Sequence, residues 1–256
     1  MTDVTRATFI IGGAPRAGTN FLCHALDRHP DVYMAKPYMP EPKVFMDAPQ
    51  SAVVYAARYA ALFGPAGGKR ALGEKTTYYL ENDEARALIQ RHLPDVRMLF
   101  VVREPVARAY SNYLWSKKNG LETLPFDEAL RLEGQRPSPL PPERAYARPY
   151  DYLPRGRYDA FAERWFASLG RERVRFLLYE DLVSKPDPVL AAIQAFIGVR
   201  HVPLGADDLG VINSAKEMGP PLDSALERTL RERMAPSVRR FALLTGLDIG
   251  AWGYPG

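Results

Sequence analysis

Arg16 stands inside a glycine-bounded loop, Gly13-Ala14-Pro15-Arg16-Ala17-Gly18-Thr19-Asn20, and that placement suggests phosphate chemistry. A short apolar run, residues 8–12, leads into the loop, and Phe21, Leu22, Ala25 and Leu26 recur beyond it at helical spacing. The order is strand, turn, helix. Glycines let backbone N–H groups face inward, and a helix N-terminus adds the positive end of its dipole, so the loop suits an anion. Gly13 and Gly18 have the spacing of a nucleoside-triphosphate loop, but Thr19 and Asn20 stand where Lys and Ser or Thr should follow. A kinase sets that lysine on the β- and γ-phosphates beside a metal. Here the cation lies within the loop as Arg16, which points to a phosphate donor handled without Mg²⁺.

Three more groups have chemistry to offer. Arg103 follows the apolar run 96–102, at the carboxyl end of a predicted buried strand, where α/β folds bind ligands. Ser111 lies along the following helix, so an arginine fork and a hydroxyl can meet on one phosphate. Glu41 sits between Pro40 and Pro42, with few conformations, and suits a general base; a solvated surface carboxylate is the other reading. Lys75, in Gly73-Glu74-Lys75-Thr76-Thr77-Tyr78, can neutralise a transferring group or position Glu41, or be a surface lysine.

These segments resemble the sulfotransferase family. The Pro15-Arg16-Ala17-Gly18-Thr19 run is similar to its 5′-phosphosulfate loop, with Arg16 where many members have Lys and tyrosine-protein enzymes have Arg. Arg103-Glu104-Pro105-Val106-Ala107-Arg108-Ala109-Tyr110-Ser111 matches its 3′-phosphate motif, with Arg103 and Ser111 as ligands. Glu41-Pro42-Lys43-Val44-Phe45 resembles the segment carrying the catalytic carboxylate in carbohydrate and bacterial members. The Gly73–Tyr78 stretch resembles one in heparan-type members, with Thr77 where Pro is common. A softer likeness runs through Gly156, Tyr158, Trp165, Tyr179-Glu180-Asp181-Leu182 and Phe196-Ile197-Gly198 to Asn213-Ser214-Ala215-Lys216.

The resemblance implies a sulfotransferase using 3′-phosphoadenosine 5′-phosphosulfate (PAPS) and no metal. It implies catalytic Glu41, Arg16 and Lys75, and cofactor contacts from Pro15, Arg16, Ala17, Gly18, Thr19, Asn20, Phe21, Arg103, Ser111, Tyr158 and Lys216. Phe21 would stack on adenine or pack in the core, and Tyr158 would border the nucleotide or pack in the core. Trp165, Tyr179, Glu180 and Asp181 are expected to be architectural. The acceptor is a hydroxyl of a small molecule, sugar or lipid. The alternatives are a P-loop small-molecule kinase and a non-catalytic nucleotide-binding module.

To place these groups, the chain must build a sheet with its strand ends together. Strands are expected at 8–12, 71–74, 96–102 and 174–179. Helices are expected from the loop to about residue 28, then at 83–92, 105–117, 161–169 and 188–197, with two more near 222–233 and 237–245. This alternation predicts one α/β domain with a central parallel sheet flanked by helices, and the resemblance makes it the fold related to nucleotide kinases. Two proline-rich stretches interrupt the pattern: 35–46, and 135–157 within a region 119–157 that reads as an acceptor-binding insertion or lid, or as disorder. Tyr146, Arg148, Tyr150, Tyr152 and Arg155 there would line an acceptor pocket or lie in solvent.

The 256 residues carry a net charge of +4, with 46% hydrophobic and 25% charged side chains, which suits a globular protein with an anionic small-molecule partner rather than nucleic acid. The single cysteine, Cys23, reads as a small buried hydrophobe, and with no signal peptide or apolar span in evidence the expected location is cytoplasmic. The richness in Arg, Ala and Pro hints at a bacterial genome.

Overall fold

A computed structural model describes residues 6–203 and 219–254. Five parallel strands form one sheet in the order β2-β3-β1-β4-β5: β1 Phe9–Gly13, β2 Val32–Met34, β3 Ala71–Lys75, β4 Arg97–Val102 and β5 Val174–Leu178. The strands are near-continuous apolar runs, as a sheet covered by helices requires, and Phe9, Ile10, Ile11 and residues 98–102 are wholly buried. Register places Ile11 opposite Lys75 on one side and Leu99 on the other. The carboxyl ends of β3, β1, β4 and β5 therefore lie side by side.

The flanking helices are α1 Thr19–Asp27, α2 Ala52–Phe63, α3 Asp83–His92, α4 Pro105–Lys118, α5 Phe126–Arg131, α6 Tyr158–Leu169, α7 Tyr179–Ser184, α8 Pro186–Ile197 and α9 Ser224–Thr245. Helix α9 packs on α6 and α4, and α3 on α6. The expected pair of C-terminal helices is one continuous helix. Pro236 removes a helical N–H, but Leu230, Met234, Val238 and Phe241 form one buried stripe on both sides of it. Packing of that stripe outweighs the lost hydrogen bond.

Strand β2 and helices α2, α5 and α7 are additions to the sequence expectations. Helix α2 is signalled by Ser51, whose hydroxyl accepts the Val54 N–H, and by buried Tyr55, Tyr59 and Phe63 at four-residue spacing. Residue Tyr179 opens α7 instead of ending the last strand. Among the described residues, no helix is long and apolar enough to cross a membrane.

The 119–157 region is folded onto the domain. Buried Glu122 accepts both guanidinium branches of Arg136, the Tyr152 hydroxyl at 2.7 Å, and the Thr123 and Leu124 amides. Burial pushes this carboxyl up, but Arg136, Tyr152 and the Leu124 amide outweigh it and hold it at about 2. A depressed pKa contributes stability that is complete above the ordinary value of 4.5 and is lost as pH falls toward about 2. Melting temperature followed from pH 4.5 down to about 2 should therefore fall less steeply in Glu122→Gln than in the parent. Parallel slopes would remove Glu122 from the acid response.

Candidate active site

The loop after β1 is shaped by contacts that only particular residues allow. Gly18 caps α1 at φ 83°, and a Cβ there would lie 2.7 Å from the Tyr179 ring. Arg16 itself holds φ 70°, a left-handed conformation that costs a non-glycine residue about 1–2 kcal/mol. That strain turns its side chain across the loop, where its Nε donates to Ser111 Oγ at 3.3 Å. Burial and neighbouring Arg103 lower the pKa of the Arg16 guanidinium, and Tyr78 opposes them. Two cations held together in a partly buried place make a site for an anion of more than one charge.

Arg103 leaves the end of β4. Its carbonyl accepts the Tyr158 hydroxyl at 3.0 Å, and its guanidinium lies 5.1 Å from the centre of the Tyr179 ring. Tyr179 thus touches both halves of the site, with Gly18 on one edge and Arg103 over its face. The sequence reading made it architectural; its ring joins the Gly18 turn to the end of β4. Glu104 caps α4 through the Val106 and Ala107 amides, with Pro105 in the first turn, which fixes the helix that presents Ser111. Glu180 accepts the Glu104 N–H and the Trp252 indole N–H, tying the C-terminal segment beneath the same corner. Arg103, Ser111, Tyr110, Leu114, Pro220 and Leu222 border a cleft of about 220 Å³.

Glu41 arrives from the proline-rich stretch. Its carboxylate accepts Lys75 Nζ at 3.0 Å and both the amide and the hydroxyl of Thr77 at 3.1 Å. Lys75 also donates to Asn20 Oδ1 at 2.5 Å, so one ammonium joins the candidate base to the phosphate loop. The Glu41 and Lys75 side chains are 7% and 3% exposed, which excludes a solvated surface role for either. Sequence reasoning missed Thr77. It holds Glu41 with a backbone N–H that the proline common at this place in the family lacks, and that departure from pattern was the available signal.

The remaining predicted residues fall in three places. Phe21 and Tyr158 belong to the hydrophobic core, one of the two readings open to each. For Tyr158, contact with the site runs through the Arg103 carbonyl. Thr19, Asn20, Pro15 and Ala17 lie in the loop or at the start of α1. Lys216 lies outside the described residues. From the 119–157 region, Tyr146 sits edge-on to Tyr78 with ring centres 4.8 Å apart, and Lys43 Nζ donates to its hydroxyl, 4.3 Å from the ring centre. Arg155 and Arg148 pair with Glu81, Tyr150 packs on Arg136, and Tyr152 is buried. Only Tyr146 of that set reaches the segment carrying Glu41. Tyr78 is an electrostatic neighbour of both Glu41 and Arg16. Among the described residues, no group of three or more His, Cys, Asp or Glu side chains is placed to hold a metal ion.

The arrangement brings two arginines, a serine hydroxyl and a carboxylate–lysine pair to one sheet edge. Residues 6–208 match the family model described as the sulfotransferase domain. The human protein named heparan sulfate glucosamine 3-O-sulfotransferase 6 is 26% identical over 95% of this chain, which spans 73% of that protein. Human heparan sulfate glucosamine 3-O-sulfotransferase 3B1 is 25% identical over 94% of the chain, which spans only 64% of it. A crystal structure of a sulfotransferase from Alicyclobacillus acidocaldarius superposes with a TM-score of 0.79 and 29% identity, covering 97% of this chain and 99% of that one. With a family match over most of its length and a like-sized structural relative, the chain belongs to the sulfotransferase family and is a sulfotransferase enzyme.

Proposed function

We propose that the protein moves the sulfonate group of PAPS to a hydroxyl of a sugar, lipid or other small molecule, with Glu41 as the general base. The observation that carries this reading is the convergence at one sheet edge. Arg16 reaches Ser111 beside Arg103, while Lys75 links Asn20 of the loop to Glu41. The loop amides, Arg16, Thr19 and Asn20 hold the 5′-phosphosulfate, and Arg103 and Ser111 take the 3′-phosphate. Glu41 accepts the proton of the acceptor hydroxyl, the oxygen attacks sulfur, and the S–O bond to the phosphate breaks. Adenosine 3′,5′-bisphosphate leaves with the negative charge, which Arg16 and Lys75 stabilise. Fixed charges facing developing charge are commonly the largest catalytic contribution.

On the acceptor side stand Lys43, Tyr78 and Tyr146, so the 119–157 region serves as the wall against which a ring-bearing acceptor rests. The names of the curated relatives put a sugar hydroxyl first. Cys23 is buried, and that burial pushes its thiol up to about 12, which suits a small packed side chain rather than a nucleophile.

The test is a panel of acceptors with ³⁵S-labelled PAPS: N-sulfated heparan oligosaccharide, p-nitrophenol and a long-chain alcohol, with Mg²⁺–ATP as the competing donor. Label in at least one product, without added metal, is expected. Consumption of ATP with no transfer from PAPS would establish the kinase reading instead. Calorimetry gives a separate check. Arg103→Ala should weaken binding of adenosine 3′,5′-bisphosphate by about 1.5–3 kcal/mol, the worth of a charge-assisted hydrogen bond. Unchanged affinity would take Arg103 out of the site.

A further inference from the structure

The mechanism leaves one buried carboxylate unused. Glu74 precedes Lys75 on β3 and is fully buried, and among the described residues no cation pairs with it. Three hydroxyls donate to it at 2.7 Å: Tyr59 to Oε2, and Thr76 and Tyr79 to Oε1. A buried charge satisfied only by hydroxyls is costly and needs a compensating use.

The direction of those bonds supplies it. Thr76 and Tyr79 each give their one hydroxyl hydrogen to Glu74, so each oxygen faces outward with lone pairs only. Thr76 Oγ1 accepts the Lys43 amide at 3.0 Å, and the Tyr79 oxygen accepts the Phe45 amide at 3.1 Å. Both amides belong to the segment that begins at Glu41. The next residue of the same strand end, Thr77, holds the Glu41 carboxylate itself. From one buried acceptor, two relays therefore reach the backbone just past the base.

We propose that Glu74 is a positioning residue, whose carboxylate orders the Thr76 and Tyr79 hydroxyls so that they clamp the Lys43 and Phe45 amides and hold Glu41 at the phosphate loop. The proposal rests on the reading of Glu41 as the base. It requires an acceptor-only group at position 74. Glutamine brings an NH₂ to one of the two oxygen places. At Oε1 the Thr76 or Tyr79 hydroxyl must reverse and present its hydrogen to an amide N–H. At Oε2 only Tyr59 must turn, so Thr76→Val and Tyr79→Phe carry the decisive test.

The test uses Glu74→Gln, Thr76→Val and Tyr79→Phe in the full chain, with PAPS and the best acceptor of the panel above. Where Glu74→Gln reverses a relay, which quickened exchange at Lys43 or Phe45 reports, kcat should fall by about 10–100-fold, the scale of an ångström-sized misplacement. The KM for PAPS and the affinity for adenosine 3′,5′-bisphosphate should stay within about twofold, since no nucleotide contact changes. Hydrogen exchange should quicken by about tenfold at the Lys43 and Phe45 amides and stay constant in α9. Thr76→Val should release Lys43 alone and Tyr79→Phe Phe45 alone, each with a smaller loss of kcat. Tyr79→Phe added to Glu74→Gln should cost less than it does alone. These two single variants decide the matter if Glu74→Gln does not fold.

Unchanged kcat in folded variants with quickened exchange would overturn the proposal. So would a joint loss of nucleotide affinity and α9 protection, which marks general loosening. Failure of the base reading looks different: Glu41→Gln would keep its turnover, while exchange at Lys43 and Phe45 still reports whether Glu74 holds the loop.

Discussion

Glu41→Gln is expected to lower turnover by about 10²–10⁴-fold, the usual contribution of a positioned general base, and to leave the affinity for adenosine 3′,5′-bisphosphate unchanged. The change is nearly isosteric. Its carbonyl oxygen can still accept from the Thr77 amide, so the loop keeps a reason to stay in place. What disappears is the ability to take a proton, together with the anionic partner of Lys75. The groups proposed to face phosphate have anchors of their own, Arg16 on Ser111 and Arg103 through its carbonyl on Tyr158. Steady-state kinetics with the best panel acceptor, paired with calorimetry on the bisphosphate, separates these effects. A variant within about fivefold of the parent rate would show that proton removal is not Glu41's task, and Lys75 would then act on the sulfonate alone.

What the sequence made legible follows from how local each signal is. The loop at Gly13–Gly18 and the run 96–102 with Arg103 at its end are readable because glycine spacing and a continuous apolar stretch announce a strand end without help from elsewhere. Glu41 and Lys75 were readable by likeness. Their mutual contact was one of the readings open to Lys75, and only the fold selects it, because it joins a proline-rich loop to a strand on the other side of α2 in the chain. Tyr78 and Tyr179 make their contacts through ring faces and a close approach to Gly18, which leave no pattern in residue type, whereas Thr77 left only its departure from the family's proline. The single helix α9 was misread because proline is a local stop signal, whereas the Leu230–Phe241 stripe is rewarded only by packing on α6. Short α5 and α7 carry too few residues for periodicity to show.

The 119–157 region shows the same limit, and it supplies the second large effect. Its prolines suggest a loose insertion, yet it is fastened by a buried Glu81–Arg155 pair, with half-buried Arg148 beside it, that the sequence does not display. Glu81, in the turn after β3, takes Arg155 through Nη2 at 2.6 Å and Nε at 3.0 Å, and Arg148 through Nη2 at 2.5 Å. Arg155 and Glu81 are 2% and 6% exposed. Burial pushes the Glu81 carboxyl up, and the two arginines outweigh it and hold it below its ordinary value. The stabilisation is therefore present above pH 4.5 and is lost as pH falls below it.

Glu81→Ala leaves the Arg155 guanidinium buried without a counter-charge, a defect that costs about 3–5 kcal/mol. For a domain of this size that lowers the melting temperature by on the order of 10 °C. The Arg155→Met partner change should recover part of the loss in the double variant, because an apolar side chain removes the stranded charge, although the Ala147 carbonyl then loses its donor. Since Tyr146, which contacts Lys43, lies two residues before Arg148, Glu81→Ala should also raise KM for the acceptor while affinity for the bisphosphate holds. A melting shift worth less than about 1 kcal/mol would mean that the triad behaves as a solvent-screened surface pair, and that some other contact fixes the acceptor wall.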